Sequence, residues 1–256
     1  MRIMDGWYRR TRGIVVGLIV LVSGAVWAGP TNVILFIGDG MGYGHVEAGG
    51  LYAHGSVGTL SFESFPARGQ VTTRAANSAV PDSAAAATAI ATGRKVNNGV
   101  LSMAYPGDGR ELTTLLELAK GTGKRTGLVT TTDVTHATPA AFGAHEPSRS
   151  NYSGIAADYL NRTRPNVLFG GGGFMGGAAG AGYTVVRSSA DLNALDPEAQ
   201  DYISGQFRSG HLTYEYDRSP NTTEPHLSEM TAAALRILDN DPDGLFLMVE
   251  GGRIDH

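Results

Sequence analysis

NVILFIGDG, residues 32–40, is an unbroken apolar run that ends in a glycine, an aspartate and a second glycine. Continuous apolar character predicts a strand buried on both faces of a parallel sheet, because a half-exposed strand would alternate apolar and polar residues. In open parallel sheets, ligands bind beyond the carboxyl ends of the strands. Asp39 is therefore expected at a ligand-binding edge, although Gly-Asp-Gly taken alone is more typical of a turn.

The same pattern recurs along the chain. GLVTTT leads into Asp133, PNVLF runs into glycines, and LFLMVE ends at Glu250. Between these strands lie two helical patterns, one with apolar residues at 112, 115, 116 and 119 and a cap at Gly121, the other running from Leu227 to Leu238. The alternation predicts a three-layer α/β/α sandwich with a mostly parallel central sheet. The glycine-rich and polar segment 171–225 is interpreted as surface loops rather than a second domain.

The first 28 residues differ from the remainder. Several arginines precede an apolar run that ends in small residues, which is typical of a secretory signal peptide. We therefore predict a signal peptide at 1–28, a catalytic domain at 29–256, and export to the periplasm or outside the cell. Retention of the segment as a membrane anchor is the alternative, since the apolar run is at the short limit for a spanning helix.

Composition excludes several classes of function. The chain has 256 residues, no cysteine and a net charge of −4. Disulfides, thiolate metal sites and cysteine nucleophiles are therefore excluded, and no basic surface for nucleic acid is indicated. Any metal would bind to oxygen and nitrogen ligands, with oxygen-rich sets favouring Mg²⁺ and mixed aspartate and histidine sets suiting Zn²⁺.

VPDSAAAATAIATG, residues 80–93, predicts a helix that begins near Ser83. Asp-Ser before alanines is a common helix cap. A serine at a helix start also lies where free N–H groups attract an anion, and near a divalent cation its hydroxyl becomes a nucleophile. A glutamate that continues the apolar run LFLMV is expected to be buried, and a buried carboxylate requires a partner such as a cation. These features together favour metal-assisted phosphoryl transfer.

Four segments in order give the sequence a specific resemblance. NVILFIGDGMG, VPDSAAAATAIATG, THATPAAFGAHEPSR and FLMVEGGRIDH resemble the metal-binding, nucleophile, phosphate-binding and late metal-binding segments of the alkaline phosphatase family. The resemblance implies an alkaline-phosphatase-like fold and the hydrolysis of phosphate monoesters. It further implies two Zn²⁺ ions, one Mg²⁺ ion, small-molecule phosphate monoesters as substrates, and a homodimer.

The resemblance also implies roles for individual residues. Ser83 would form a covalent phosphoserine, and Arg149 would hold the substrate phosphate through two parallel hydrogen bonds. The implied protein ligands of the metals are Asp39, Ser83, Thr138, Glu250 and Asp255. Of these, Asp39 would bridge one zinc and the magnesium, Thr138 and Glu250 would bind the magnesium, and Asp255 would bind the other zinc. His136 and His256 match positions that vary within the family and would tune metal affinity and phosphate release.

The family's remaining zinc ligands are expected beyond residue 256: one histidine a few residues on, an Asp-His pair, and a last histidine much later. The sequence is therefore expected to be the N-terminal part of a longer phosphatase, with a fold and zinc sites that are incomplete and an uncertain activity of its own. The alternatives are another hydrolase of the same superfamily, or a truncated protein that binds phosphate or metal without catalysis. A sulfatase is disfavoured, because Ser83 is followed only by alanines.

Overall fold

The computed structural model describes residues 31–256, so the predicted signal peptide at 1–28 lies outside the described residues. Six strands form one sheet. They are β1 (Val33–Gly38), β2 (Arg125–Asp133), β3 (Val167–Gly171), β4 (Thr184–Val186), β5 (Ile203–Gln206) and β6 (Leu245–Gly251). Their order in the sheet is β1-β6-β2-β3-β5-β4, and every neighbouring pair is parallel. The predicted parallel sheet is confirmed.

Seven α-helices accompany this sheet within residues 31–256. They are α1 (Tyr43–His54), α2 (Ser83–Thr92), α3 (Leu115–Gly121), α4 (Ala137–Gly143), α5 (Tyr152–Asp158), α6 (Ser189–Ala194) and α7 (Leu227–Leu238). None of the helices in the described part of the chain has the length and apolar character that crossing a bilayer requires.

Two hydrophobic cores cover the two faces of the sheet. Alternate residues of β6 divide between them, since Phe246 and Met248 pack in one core and Leu247 and Val249 in the other. The first core contains buried residues of α2, α4 and α5, and the second contains those of α7. Helical layers on both faces confirm the predicted α/β/α sandwich and explain why the central strands are apolar throughout.

The interpretation of residues 171–225 as loops was wrong in part. β4 and β5 lie within this segment and complete one side of the central sheet. These strands have only three and four residues, and a glycine interrupts β5, so neither gives a readable periodicity.

Two local predictions also need correction. α3 begins at Leu115, with Thr114 as its N-cap and Thr122 rather than Gly121 as its C-cap, so Leu112 precedes the helix. The β1 strand is also less buried than its apolar sequence predicts, because among residues 31–256 it lies at one edge of the sheet. Ile34 is 43% exposed and Phe36 is 67% exposed.

Candidate active site

The turn after β1 brings two acidic side chains together. The backbone N–H of Asp39 donates to the carbonyl of Gly251 at 3.1 Å, which ties this turn to the end of β6. Gly40 follows with φ +72°, and a Cβ at this position would lie 2.1 Å from Cγ of Asp255. Glycine therefore suits this position, and its small size allows the segment after β6 to place Asp255 against Gly40, in the same cleft as Asp39.

Ser83 is the first residue of α2, as the sequence predicts. Asp82 is the N-cap, and its Oδ1 accepts a hydrogen bond from the backbone N–H of Ala85 at 2.9 Å. The buried alanines behind Ser83 let α2 pack closely against α4. Ser83 is left partly exposed at the positive end of the helix dipole, where an anion is stabilised.

Thr138 and Glu250 lie close to Asp39. Oγ1 of Thr138 donates to Oδ2 of Asp39 at 3.5 Å, a long hydrogen bond. Glu250 is fully buried, and its Oε2 accepts from Oγ1 of Thr130 at 2.5 Å, whereas its Oε1 has no hydrogen-bond partner among the described residues. Burial raises the pKa of Glu250 to about 7, and the nearby charge of Asp39 acts in the same direction. A buried carboxylate with a free oxygen fits a site that accepts a cation.

The side chain of Arg149 is held by two hydrogen bonds near the N-terminus of α2. Its Nη1 donates to Oδ2 of Asp82 at 3.1 Å, and its Nη2 donates to Nε2 of His136 at 3.0 Å. Because a guanidinium only donates hydrogen bonds, Nε2 of His136 must be the acceptor, so this imidazole is neutral. Burial and the charge of Arg149 lower the pKa of His136 to about 3, which agrees with this protonation state.

Asp133 builds the loop that carries His136. Its Oδ1 accepts from both the backbone and the hydroxyl of Thr135, and its Oδ2 accepts from the backbone N–H of Gly173. Asp133 thereby fixes the turn from β2 into α4, and α4 in turn supplies Thr138.

The structure places most of the predicted site residues around one cleft of about 520 Å³. Five of them line it: Asp39, Ser83, Thr138, Arg149 and Asp255. Glu250 is buried away from the cleft wall, and the rings of His136 and His256 lie 6.0 Å apart. Over residues 31–256, no three histidine, aspartate or glutamate side chains are gathered into a ready metal-binding cluster.

His211 lies next to two of the predicted site residues, and the sequence analysis did not single it out. Its ring centroid lies 5.2 Å from that of His136 and 5.4 Å from that of His256. The signal available in the sequence was its position five residues after a strand, but the short β5 was itself not recognised.

Comparison with known proteins gives the family and the fold of the chain. The family model described as alkaline phosphatase matches residues 30–176 and 171–256. Alkaline phosphatase 3 of Bacillus subtilis is 38% identical over 244 residues, which cover 88% of this chain and 51% of the relative. The crystal structure of Thermus thermophilus alkaline phosphatase matches with a TM-score of 0.77 and 36% identity, covering 88% of this chain and 50% of that one.

A further match is a mutant of TAB5 alkaline phosphatase solved with Mg bound in its M3 site. It is 25% identical, with a TM-score of 0.72, and the match covers 86% of this chain and 64% of that one. These findings define a phosphatase-like α/β protein. The chain belongs to the alkaline phosphatase family, and it spans about half the length of the curated relatives it matches.

Proposed function

We propose that the protein hydrolyses phosphate monoesters through a covalent phosphoserine at Ser83. One observation carries this proposal: Ser83 begins a helix, faces a cleft, and shares that cleft with the guanidinium of Arg149. A phosphate in this cleft would meet free N–H groups of α2 and a planar cation that binds two phosphate oxygens at once. Two of the five N–H groups of Arg149 already bond Asp82 and His136, so three remain for substrate.

The reaction proceeds in two displacements. Oγ of Ser83 attacks phosphorus, the P–O bond to the alcohol breaks, and the alcohol leaves with a proton. Water then attacks the phosphoserine, the bond between phosphorus and Oγ breaks, and Ser83 regains its proton as phosphate departs. Arg149 stabilises the negative charge on the equatorial oxygens in both steps, because its position is fixed by Asp82 before substrate binds.

We propose that Asp39, Thr138 and Glu250 hold a Mg²⁺ ion, and that Asp39, Ser83 and Asp255 contribute to two Zn²⁺ sites. The unpaired Oε1 of Glu250 and the contact between Gly40 and Asp255 support this assignment. Divalent cations bound there would favour the ionised serine and balance the charge of the transferring phosphoryl group.

Location and partners are part of the same proposal. The basic and apolar pattern of residues 1–28 supports export to the periplasm or beyond the cell, with no membrane attachment after cleavage. Small-molecule phosphate monoesters are the proposed substrates, nucleic acid is not a specific ligand, and a homodimer is the proposed assembly.

The nucleophile is tested with Ser83→Ala. The full chain, supplied with Zn²⁺ and Mg²⁺, is mixed with an aryl phosphate and quenched with acid, and phosphoserine is located by mass spectrometry. We expect phosphate on Ser83 in the wild type and none in Ser83→Ala, with turnover reduced at least about 10³-fold. Ser64→Ala, at an exposed serine outside the cleft, is the control and should behave as wild type.

If Ser83→Ala still released an undiminished burst of alcohol, the chemistry would be assigned to another residue. Wild-type protein that binds phosphate but forms no phosphoserine and releases no alcohol would favour the alternative of a phosphate-binding protein without catalysis.

A further inference from the structure

The loop of residues 207–214, which follows β5, is fixed to β2 and to the segment that follows β6. The backbone N–H of Leu212 donates to the carbonyl of Thr131 in β2 at 2.9 Å, and Leu212 is fully buried. Arg253, just after β6, donates to the carbonyl of Leu212, and its Cζ lies 3.6 Å from the centroid of the Tyr214 ring. Anchoring from both sides gives this loop a defined position at the carboxyl edge of the sheet.

The anchored loop presents His211 in one orientation. The backbone N–H of Asp133 donates to Nδ1 of His211 at 2.9 Å, so in the neutral ring the proton is on Nε2. The ring stands edge-on to His136, with centroids 5.2 Å apart and planes at 86°. Burial lowers the pKa of His211, and the charges of Arg253 and His256 lower it further, so the neutral ring is favoured.

The ring of His136 is fixed by few polar contacts. Its Nε2 accepts from Arg149, while its Nδ1 is buried and has no hydrogen-bond partner among the described residues. A histidine with one hydrogen bond depends on packing for the orientation of its ring. Within the described part of the chain, the rings of His211 and His256 lie next to it.

We propose that His211 is a positioning residue for phosphate binding: its ring holds His136 so that Nε2 of His136 accepts from Arg149 and keeps the guanidinium in the cleft. The inference rests on the proposed role of Arg149 in binding phosphate. The contacts that connect His211 to the guanidinium run from Asp133 through His211 and His136 to Arg149. Because the effect passes through packing between rings, an aromatic replacement should preserve it and a small polar one should not.

The test compares His211→Asn with His211→Phe in the full chain supplied with Zn²⁺ and Mg²⁺. Asparagine can still accept from Asp133 but removes the ring, whereas phenylalanine keeps the ring and loses the acceptor. We expect the dissociation constant of inorganic phosphate to rise about fivefold in His211→Asn, the equivalent of one modest hydrogen bond, and less than twofold in His211→Phe. His54→Ala, at an exposed histidine on the end of α1, is the control and should leave phosphate affinity unchanged.

Nitrogen NMR of the His136 ring gives a second measurement that needs no catalysis. Wild type should show a single neutral tautomer with the proton on Nδ1, and His211→Asn should show a mixture while His211→Phe does not. Unchanged phosphate affinity together with an unchanged His136 spectrum in His211→Asn would overturn the inference. If wild type neither binds phosphate nor forms phosphoserine, the proposed function fails, and the His136 spectrum still decides whether His211 fixes that ring.

Discussion

Glu250 is the most constrained single residue of the site. Its carboxyl group is fully buried at the end of a central strand, with the hydroxyl of Thr130 against one oxygen and no partner for the other. Such a group is poorly accommodated as an anion unless a cation lies beside it. The residue is therefore expected to lower the stability of the metal-free protein, and the proposed Mg²⁺ ion would offset this effect.

This cost has a defined pH dependence. The pKa of Glu250 is raised from 4.5 to about 7, so the folded state binds this proton more tightly than the unfolded state. As pH rises through this window, the free energy of unfolding of the metal-free protein decreases by up to about 3 kcal/mol. In metal-free protein, Glu250→Gln should unfold at the same urea concentration as wild type near pH 4.5 and at a higher one at pH 8.

Magnesium should reverse that order. Added Mg²⁺ is expected to stabilise wild type at pH 8 and to leave Glu250→Gln unaffected, because the amide is a weaker ligand without charge. Equal stabilisation of both proteins by Mg²⁺ would show that Glu250 is not a ligand.

Among the secondary-structure elements, α3 is joined to the chain after α4 by an ion pair between the buried His145 and the partly exposed Glu117. Nδ1 of His145 faces the carbonyl of Ser102 at 2.9 Å, and Nε2 faces Oε1 of Glu117 at 3.0 Å. Both partners only accept hydrogen bonds, so both ring nitrogens carry protons and His145 is an imidazolium. Burial opposes this charge, but the hydrogen bonds that the ring donates to Glu117 and Ser102 outweigh it and raise the pKa of His145.

The stability due to His145 should disappear at alkaline pH. Because its folded pKa is raised, the contribution is complete below the unfolded value of about 6.5 and is lost as pH rises through the folded value. His145→Ala should reduce the free energy of unfolding by about 2 kcal/mol at pH 6, since it leaves the buried carbonyl of Ser102 and the partly buried carboxylate of Glu117 unpaired, and by less at pH 9. Urea unfolding at both pH values measures this difference, and an equal loss at both would contradict a charged His145.

Three of the strands that sequence alone could predict lie in the middle of the sheet. Burial on both faces makes β3 and β6 apolar runs and β2 a run of apolar residues and threonines, which are readable without a structure. β1 has the same apolar pattern although it lies at the edge of the sheet within residues 31–256. α7 was readable because one face packs in the core, and Ser83 because a helix start has its own residue preferences. β4 and β5 were not, because strands of three and four residues give too few positions for a pattern.

The candidate site divides in the same way. Residues next to a readable strand, such as Asp39 and Glu250, could be assigned to the carboxyl edge of the sheet in advance. His211 could not, because its place depends on how a loop is anchored by Arg253 and Thr131, which are distant in sequence. The partners of Arg149 were likewise beyond prediction, since they depend on side-chain geometry.

At the scale of the whole molecule, residues 31–256 leave one side of the sheet open. Leu35 and Ile37 of β1 pack against the first core, but Ile34 and Phe36 on the opposite face are exposed, and no described strand pairs with the outer edge of β1. An unpaired edge next to apolar side chains is a surface that favours association with another polypeptide.

We expect the chain to self-associate through this surface. Light scattering after size-exclusion chromatography should give a mass that rises with concentration for wild type and rises much less for Phe36→Glu, because a charge beside the open edge opposes pairing. Tyr216→Glu, at an aromatic residue that is 93% exposed and lies outside the sheet, is the matched control. Identical masses for wild type and Phe36→Glu at every concentration would contradict this role of β1.

The edge position of β1 also bears on how the site responds to heat. Within residues 31–256, Asp39 follows directly from a strand that has a hydrogen-bonded neighbour on one side only, whereas Glu250 belongs to β6, which has neighbours on both sides. Edge strands fray at a lower free energy than central strands do. On warming, the turn that carries Asp39 should therefore separate from Glu250 and Asp255 while the central strands stay ordered, so that cleft geometry is lost reversibly below the melting temperature of the fold.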